Sequence, residues 1–116
     1  MEIRYATISK TGRRHNNEDA YKVIDMLQNN QFMGIVCDGM GGHSFGETAS
    51  ETVCNTISDF WKKHSSSPDC DSKVKLACKK ASCAIDKKSS ELHHAEMGTT
   101  MVMVSIENDV ATIAHI

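Results

Sequence analysis

The sequence lacks the features that mark several large classes of protein. Its 116 residues contain no run of about 18 apolar residues, and the segment after Met1 is not the apolar stretch of a signal peptide. We therefore expect neither a membrane span nor a secretory leader, and we interpret the chain as cytoplasmic. The formal net charge is only -2, so no excess of one sign favours binding to nucleic acid or to an anionic membrane.

The cysteines also lack a recognisable pattern. There are five, an odd number, and no two form a CxxC pair, which argues for reduced thiols. They are Cys37, Cys54, Cys70, Cys78 and Cys83. A zinc site could combine the last three with His93 or His94, but these spacings match no known ligand frame. We therefore prefer to interpret the cysteines as small, mostly buried side chains.

The length allows one domain with one hydrophobic core. β-Branched, aromatic and apolar residues predict strands at residues 3–9, 20–26 and 31–38, and residues 28–30 are typical of a hairpin turn between the last two. The third of these strands is apolar almost without alternation. We therefore expect both of its faces to be covered.

The period then changes to the three- and four-residue spacing of an amphipathic helix, which we expect over residues 44–64. Residues 65–69 interrupt it, and Ser72 is the predicted cap of a second helix, packed antiparallel to the first. A hairpin of two strands about residues 107–109 completes the chain. This order predicts an α+β fold in which a helix pair covers an antiparallel sheet.

Two acidic clusters carry the chemistry of the sequence. Glu18 and Asp19 follow Arg14, and Asp38 stands at the end of the apolar third strand, just before Gly39. A carboxylate there is costly unless a cation neutralises it, and carboxylate and carbonyl oxygens suit Mg²⁺ or Mn²⁺. An arginine beside such a site favours phosphate. Taken singly, however, each cluster is more often a solvated loop or a turn.

In combination these elements resemble a known family. The pattern Arg-x-x-Asn-Glu-Asp at residues 14–19 and Val-x-Asp-Gly-Met-Gly-Gly-His at residues 36–43 is similar to the N-terminal part of bacterial-type PP2C serine/threonine protein phosphatases, which are metal-dependent. Residues 46–50, 97–100 and 111–116 resemble later family elements. The resemblance implies part of a β-sandwich flanked by helix pairs.

The resemblance also implies roles for individual residues. In this family two Mn²⁺ or Mg²⁺ ions activate a water that attacks a phosphoserine or phosphothreonine of a protein substrate. Carried over, Asp38 would bridge the two metals, Gly39 would offer its carbonyl, Glu18 would ligate, Asp19 would order a water, and Arg14 would hold the phosphate. Met40 stands where eukaryotic members have a histidine, and His43 is a poor substitute for it as a general acid.

The resemblance stops at Ile116, before the family's Gly-Asp-Ser-Arg and the later aspartates that complete the metal centre. We therefore expect residues 1–116 to be the N-terminal half of a phosphatase domain, inactive alone. An alternative is a non-catalytic half-domain that forms a homodimer or binds a protein partner through an exposed sheet. A third hypothesis keeps activity in a dimer whose two halves complete one site.

Overall fold

The computed structural model of the chain describes residues 2–42, 45–65 and 69–116. His43 and Ser44, where the sequence predicts the start of the first helix, and residues 66–68 of the linker lie outside the described residues. Within these ranges the structure has four strands and two α-helices. They are β1 (Asp19–Met26), β2 (Gln31–Met40), α1 (Phe45–Lys63), α2 (Cys70–Glu91), β3 (Gly98–Glu107) and β4 (Val110–His115). The α+β prediction is confirmed.

The strands form one antiparallel sheet in the order β1-β2-β3-β4. A 3-10 turn at Leu27–Asn29, closed by Asn30 in the left-handed conformation, joins β1 to β2. Asn108 and Asp109 both have positive φ and form the two-residue turn between β3 and β4, a conformation that these side chains tolerate. Both predicted hairpins are therefore present.

Helix α1 covers one face of the sheet because its apolar residues recur on one side. Ile57 and Trp61 are buried with Met33 and Met101 of the central strands. Helix α2 packs on α1 through small residues, of which Ala77 and Ala81 are buried.

The two helices run antiparallel, as the sequence predicts. Lys73, near the start of α2, lies over Trp61, near the end of α1. Further along α2, Cys83 shares a surface cavity with Thr56, which lies earlier in α1. In the described part of the chain, neither helix is long and apolar enough to cross a membrane.

The other face of the sheet, which we call the open face, carries no helix in the described residues. Tyr21, Val36, Val102 and Ile113 lie on it, and their exposed fractions range from 44% to 70%. The expectation that both faces of β2 are covered therefore holds only at Phe32, which is buried beside Tyr5, and is wrong for the rest of the strand. Its odd-numbered residues 33–39 are buried toward α1, whereas Val36 is 58% exposed on the opposite side.

The strand predicted at residues 3–9 is also absent, because that segment has no regular secondary structure. It lies against the open face and makes side-chain contacts there. The Tyr5 ring is 5.4 Å from the Phe32 ring, and the Thr7 hydroxyl is 3.3 Å from the Tyr21 hydroxyl. A strand needs a backbone partner, and β-propensity in the segment cannot supply one.

Helix α2 begins earlier than predicted because Asp69, not Ser72, is its cap. The Asp69 carboxylate accepts hydrogen bonds from the backbone N–H of Ser72 at 3.2 Å and from its hydroxyl at 2.7 Å. These bonds lower the pKa of the Asp69 carboxyl. Ser72 thus lies in the first turn, and the prediction chose the wrong one of two residues that can cap.

A buried ion pair joins the helix pair to the far end of the sheet. Lys73 Nζ lies 2.5 Å from a carboxylate oxygen of Glu107 at the end of β3, and 4.4 Å from the centroid of the Trp61 ring. The Lys73 side chain is 1% exposed and that of Glu107 is 14% exposed. Removal of one partner from such a pair leaves a charge without compensation in a poorly solvated position.

We predict that Lys73→Ala lowers the free energy of unfolding by about 3 kcal/mol, because it leaves the Glu107 carboxylate without its partner and creates a cavity beside the Trp61 ring. Urea denaturation followed by circular dichroism measures the change. Lys88→Ala is the matched control, since the Lys88–Glu91 pair is roughly half exposed and its loss should cost about 0.5 kcal/mol or less. Equal losses in the two variants would contradict the prediction.

Candidate metal centre

Two carboxylates face each other where β1 begins and β2 nears its end. Asp19 and Asp38 are direct register partners in the β1–β2 ladder, and both are exposed. Because side chains alternate along a strand, Asp38 projects from the open face, opposite to the buried Cys37 and Gly39. Like charges directly opposite in an antiparallel pair destabilise it, so this position favours a cation between them.

Glu18 extends the same arrangement by one residue. Its backbone carbonyl accepts a hydrogen bond from the N–H of Gly39 at 3.0 Å, which continues the pairing of the two strands. Its carboxylate reaches the first turn of α1, where a Cβ on Gly46 would collide with it. The Glu18 and Asp19 side chains therefore point in different directions, as expected for neighbours in an extended chain.

The loop before β1 is held by Asn17. Its side-chain oxygen accepts a hydrogen bond from the Asp19 N–H at 3.0 Å, and its side-chain amide donates to the Ser9 hydroxyl at 2.7 Å. The sequence motif contains Asn17, but no role for it was predicted. The Asn–x–Asp spacing is the signal that could have identified this local turn.

All five site residues predicted from the sequence line one concave cavity of about 190 Å³. Its walls are formed by Lys10, Thr11, Arg14, Asn16, Asn17, Glu18, Asp19, Asp38 and Gly39. The structure thus brings the two acidic clusters and the arginine together. Lys10 and Thr11 were not predicted, and no motif in the sequence singles them out. The individual roles of the five residues remain predictions.

The donor set suits a hard cation such as Mn²⁺ or Mg²⁺. It consists of carboxylate oxygens and a backbone carbonyl, with Arg14 as a cation for an anionic group. Even so, residues 2–42, 45–65 and 69–116 contain no group of three or more His, Cys, Asp or Glu side chains placed to hold a metal ion. The described residues therefore present oxygen donors suited to such a cation without a complete set of side-chain ligands.

The family is established by comparison with known proteins. The model of the protein phosphatase 2C family matches residues 9–116, which is nearly the whole chain. The chain belongs to the protein phosphatase 2C family. The candidate site, built from both acidic clusters, falls inside the matched region of this PP2C chain.

Individual relatives agree with this membership. The serine/threonine phosphatase stp of Listeria monocytogenes is 32% identical over 108 residues, covering 89% of this PP2C chain and 42% of the relative. The crystal structure of the Mycobacterium tuberculosis serine/threonine phosphatase PstP/Ppp matches with a TM-score of 0.81 and 29% identity, over 97% of this chain and 46% of that one. A PstP catalytic domain in complex with two manganese ions matches with a TM-score of 0.78 and 30% identity, over 97% and 47%.

The PP2C chain therefore spans a little under half the length of the relatives it matches. The structural agreement extends over nearly all of the present chain, so the sheet and helix pair described above are family features. The bacterial PP2C resemblance inferred from residues 14–19 and 36–43 is confirmed.

Two glycines allow β2 and α1 to approach closely beside the candidate site. A Cβ on Gly39 would overlap the backbone carbonyl of Gly46, and a Cβ on Gly46 would overlap the Glu18 carboxylate. Gly42, three residues beyond Gly39, has nothing within 4 Å of such a Cβ. Gly39 and Gly46 therefore require glycine for steric reasons, whereas Gly42 does not.

We predict that Gly39→Ala lowers the free energy of unfolding by about 2 kcal/mol or more, because backbone atoms must move apart. Urea denaturation measures the loss. Gly42→Ala, the matched control, should change stability by less than about 0.5 kcal/mol. A Gly39→Ala protein as stable as this control would show that α1 does not lie as close to β2 as described.

Proposed function

We propose that this chain forms one side of the active site of a Mn²⁺- or Mg²⁺-dependent phosphatase that acts on phosphoserine and phosphothreonine in proteins. The observation that carries the proposal is the register of β1 and β2, which sets Asp19 opposite Asp38 beside Glu18, Gly39 and Arg14. Family membership supports the same assignment. The two manganese ions of the PstP structure support Mn²⁺ as the cofactor.

The position of each residue supports a role for it in this site. Asp38 would hold the cation that relieves its repulsion with Asp19, and Asp19 would order a water beside that cation. Glu18 and the Gly39 carbonyl would contribute oxygens from the adjoining pair. Arg14, on the wall of the same cavity, would bind the phosphate oxygens by charge-assisted hydrogen bonds. When bound, the metal supplies Lewis-acid stabilisation and lowers the pKa of water.

We further propose that this chain is catalytically inactive on its own, as the N-terminal half of a PP2C domain. Its described residues gather too few side-chain ligands to hold two metals in a fixed geometry.

A cytoplasmic location is also proposed, and the five free cysteines support a reducing compartment. The substrate class is phosphorylated protein, with no role for nucleic acid or membrane.

We predict opposite effects of Asp38→Asn on stability without metal and on metal binding. The variant removes a like-charge pair, so without metal it should be as stable as the parent chain or up to about 0.5 kcal/mol more stable. It also removes a ligand, so the rise in Tm on addition of Mn²⁺ should fall by more than half. Differential scanning fluorimetry across a Mn²⁺ series, with an EDTA-treated sample, measures both effects.

Asp86→Asn on the exposed side of α2 is the matched control, because it makes the same chemical change away from the cavity and should leave the Mn²⁺ effect intact. Loss of the Mn²⁺ effect in both variants would show that Mn²⁺ stabilises the chain through its overall negative charge and not through binding at Asp38. An unchanged Mn²⁺ effect in Asp38→Asn would refute the site.

Hydrolysis of a phosphothreonine peptide with Mn²⁺ tests the proposal that the chain alone is inactive, and we expect no turnover. Turnover that Asp38→Asn abolishes would instead support a site completed within a dimer.

A second candidate function rests on the open face. Exposed apolar residues of all four strands form a continuous surface there, with a cavity of about 660 Å³ beneath residues 5–10. Such a surface marks a site of protein association. We infer that, in the absence of other partners, the chain forms a homodimer through this face, as a non-catalytic half-domain would.

We predict that Val36→Lys abolishes self-association, because it places a charge at the centre of the open face. Light scattering coupled to gel filtration, over a range of concentrations, measures the mass. Leu76→Lys is the matched control, since Leu76 is a 46% exposed apolar residue on α2. A monomeric parent chain, or a dimer that Val36→Lys does not disrupt, would exclude this interface.

A further inference from the structure

Two of the five cysteines meet in the core between the sheet and the first helix. Cys37 of β2 and Cys54 of α1 are both buried, and their sulfur atoms lie 3.4 Å apart in a hydrogen bond. No other pair of described cysteines has a sulfur–sulfur contact of this kind. A disulfide needs the two sulfurs about 2.0 Å apart, so a shift of about 1.4 Å would join them.

A surface cavity reaches this pair from the Cys54 side. Its volume is about 410 Å³, and its walls include Cys54 together with Lys22 of β1 and Glu51 and Asn55 of α1. Cys54 is therefore close to solvent although its own exposed fraction is only 1%. This cavity is the side from which a small peroxide would approach the pair.

The two thiols are also unequal. The hydrogen bond with Cys37 lowers the pKa of Cys54, and the positive charge of Lys22 lowers it further, against the opposing effect of burial. Cys54 is thus the sulfur that more readily becomes the nucleophilic thiolate, and it is also the one beside the cavity.

We propose that Cys37 and Cys54 form a redox modification site, in which a peroxide oxidises Cys54 and Cys37 resolves the product into an intramolecular disulfide. The inference depends on the sulfur–sulfur contact and the adjoining cavity. It does not depend on phosphatase activity.

The chemistry balances in two steps. The Cys54 thiolate attacks one oxygen of hydrogen peroxide, the O–O bond breaks, and the departing hydroxide takes a proton to leave as water, so that Cys54 becomes a sulfenic acid. The Cys37 sulfur then attacks the Cys54 sulfur, the S–O bond breaks as the S–S bond forms, and the hydroxide leaves with the Cys37 proton as a second water. Two thiols are oxidised and one peroxide is reduced.

The position of the disulfide ties it to the candidate metal centre. Cys37 immediately precedes Asp38, so the bond would fasten β2 to α1 one residue from that carboxylate. Within a reducing compartment such a bond would be transient, as expected for a sensor and not for a structural crosslink.

Peptide mapping of the folded chain tests the proposal. After treatment with hydrogen peroxide and alkylation of the remaining thiols, cleavage after Glu47 and Glu51 separates Cys37 from Cys54. We expect the two peptides to remain linked, with a mass about 2 Da below their sum, and dithiothreitol to release them. A kinetic trapping experiment with a sulfenic acid probe should label Cys54 in Cys37→Ser and not Cys37 in Cys54→Ser.

Cys83→Ser is the matched control, because Cys83 is exposed and distant in sequence from the pair, and this variant should form the 37–54 link at the parent rate. The proposal is overturned if folded parent chain oxidises at Cys83 while Cys37 and Cys54 stay reduced. It is also overturned if the 37–54 link appears only after denaturation. Circular dichroism of each variant before treatment shows whether it is folded, and the parent chain alone decides the outcome if the serine variants are not.

Discussion

The register of β1 against β2 is the constraint on which the rest of this structure depends. It pairs Asp19 with Asp38 on the open face and, through the same alternation, places Met33, Ile35 and Cys37 beneath α1. A slip of β1 by one residue would turn Ile24 out of the core and place the carboxylate of Asp19 on the side covered by α1. The free energy of burying the apolar side chains of β2 therefore also fixes the position of the acidic pair.

Helix α1 provides the second support, and glycine makes it possible. Close contact of Gly46 with Gly39 and with the Glu18 carboxylate brings the helix start against the end of β2. The apolar side of the helix then continues across three strands as far as Trp61, which contacts Lys73 of α2. Helix α1 thus contacts both the candidate metal centre and the hydrophobic core. Substitutions at these glycines should therefore change the geometry of the centre and the stability of the core.

The sequence predicts the elements that carry a strong period and the residues that carry a motif. Both hairpins, both helices and the convergence of Arg14 with the two acidic clusters follow from such signals. The sequence cannot predict features that depend on a partner distant along the chain. Residues 3–9 have strand-like composition but lack a backbone partner, and whether β2 is covered on both faces depends on what packs there.

The burial of Lys73 is another feature that the sequence does not predict. A lysine in the first turns of an amphipathic helix is normally a solvated residue, and its spacing does not distinguish it from Lys79 or Lys80. Its burial follows from Trp61 and Glu107, which belong to other elements. The local sequence pattern predicts helix α2, whereas the Lys73–Glu107 ion pair depends on tertiary packing.

The shared face of the acidic pair and the exposed apolar residues has an energetic consequence. Any surface that covers Val36 and Val102 also approaches Asp19 and Asp38, since all four lie on the open side of the sheet. Burial of the apolar residues is favourable, but removing water from two facing carboxylates is costly unless a positive charge arrives with the covering surface. Occupation of the acidic pair by a cation and coverage of the open face are therefore coupled, and each makes the other more favourable.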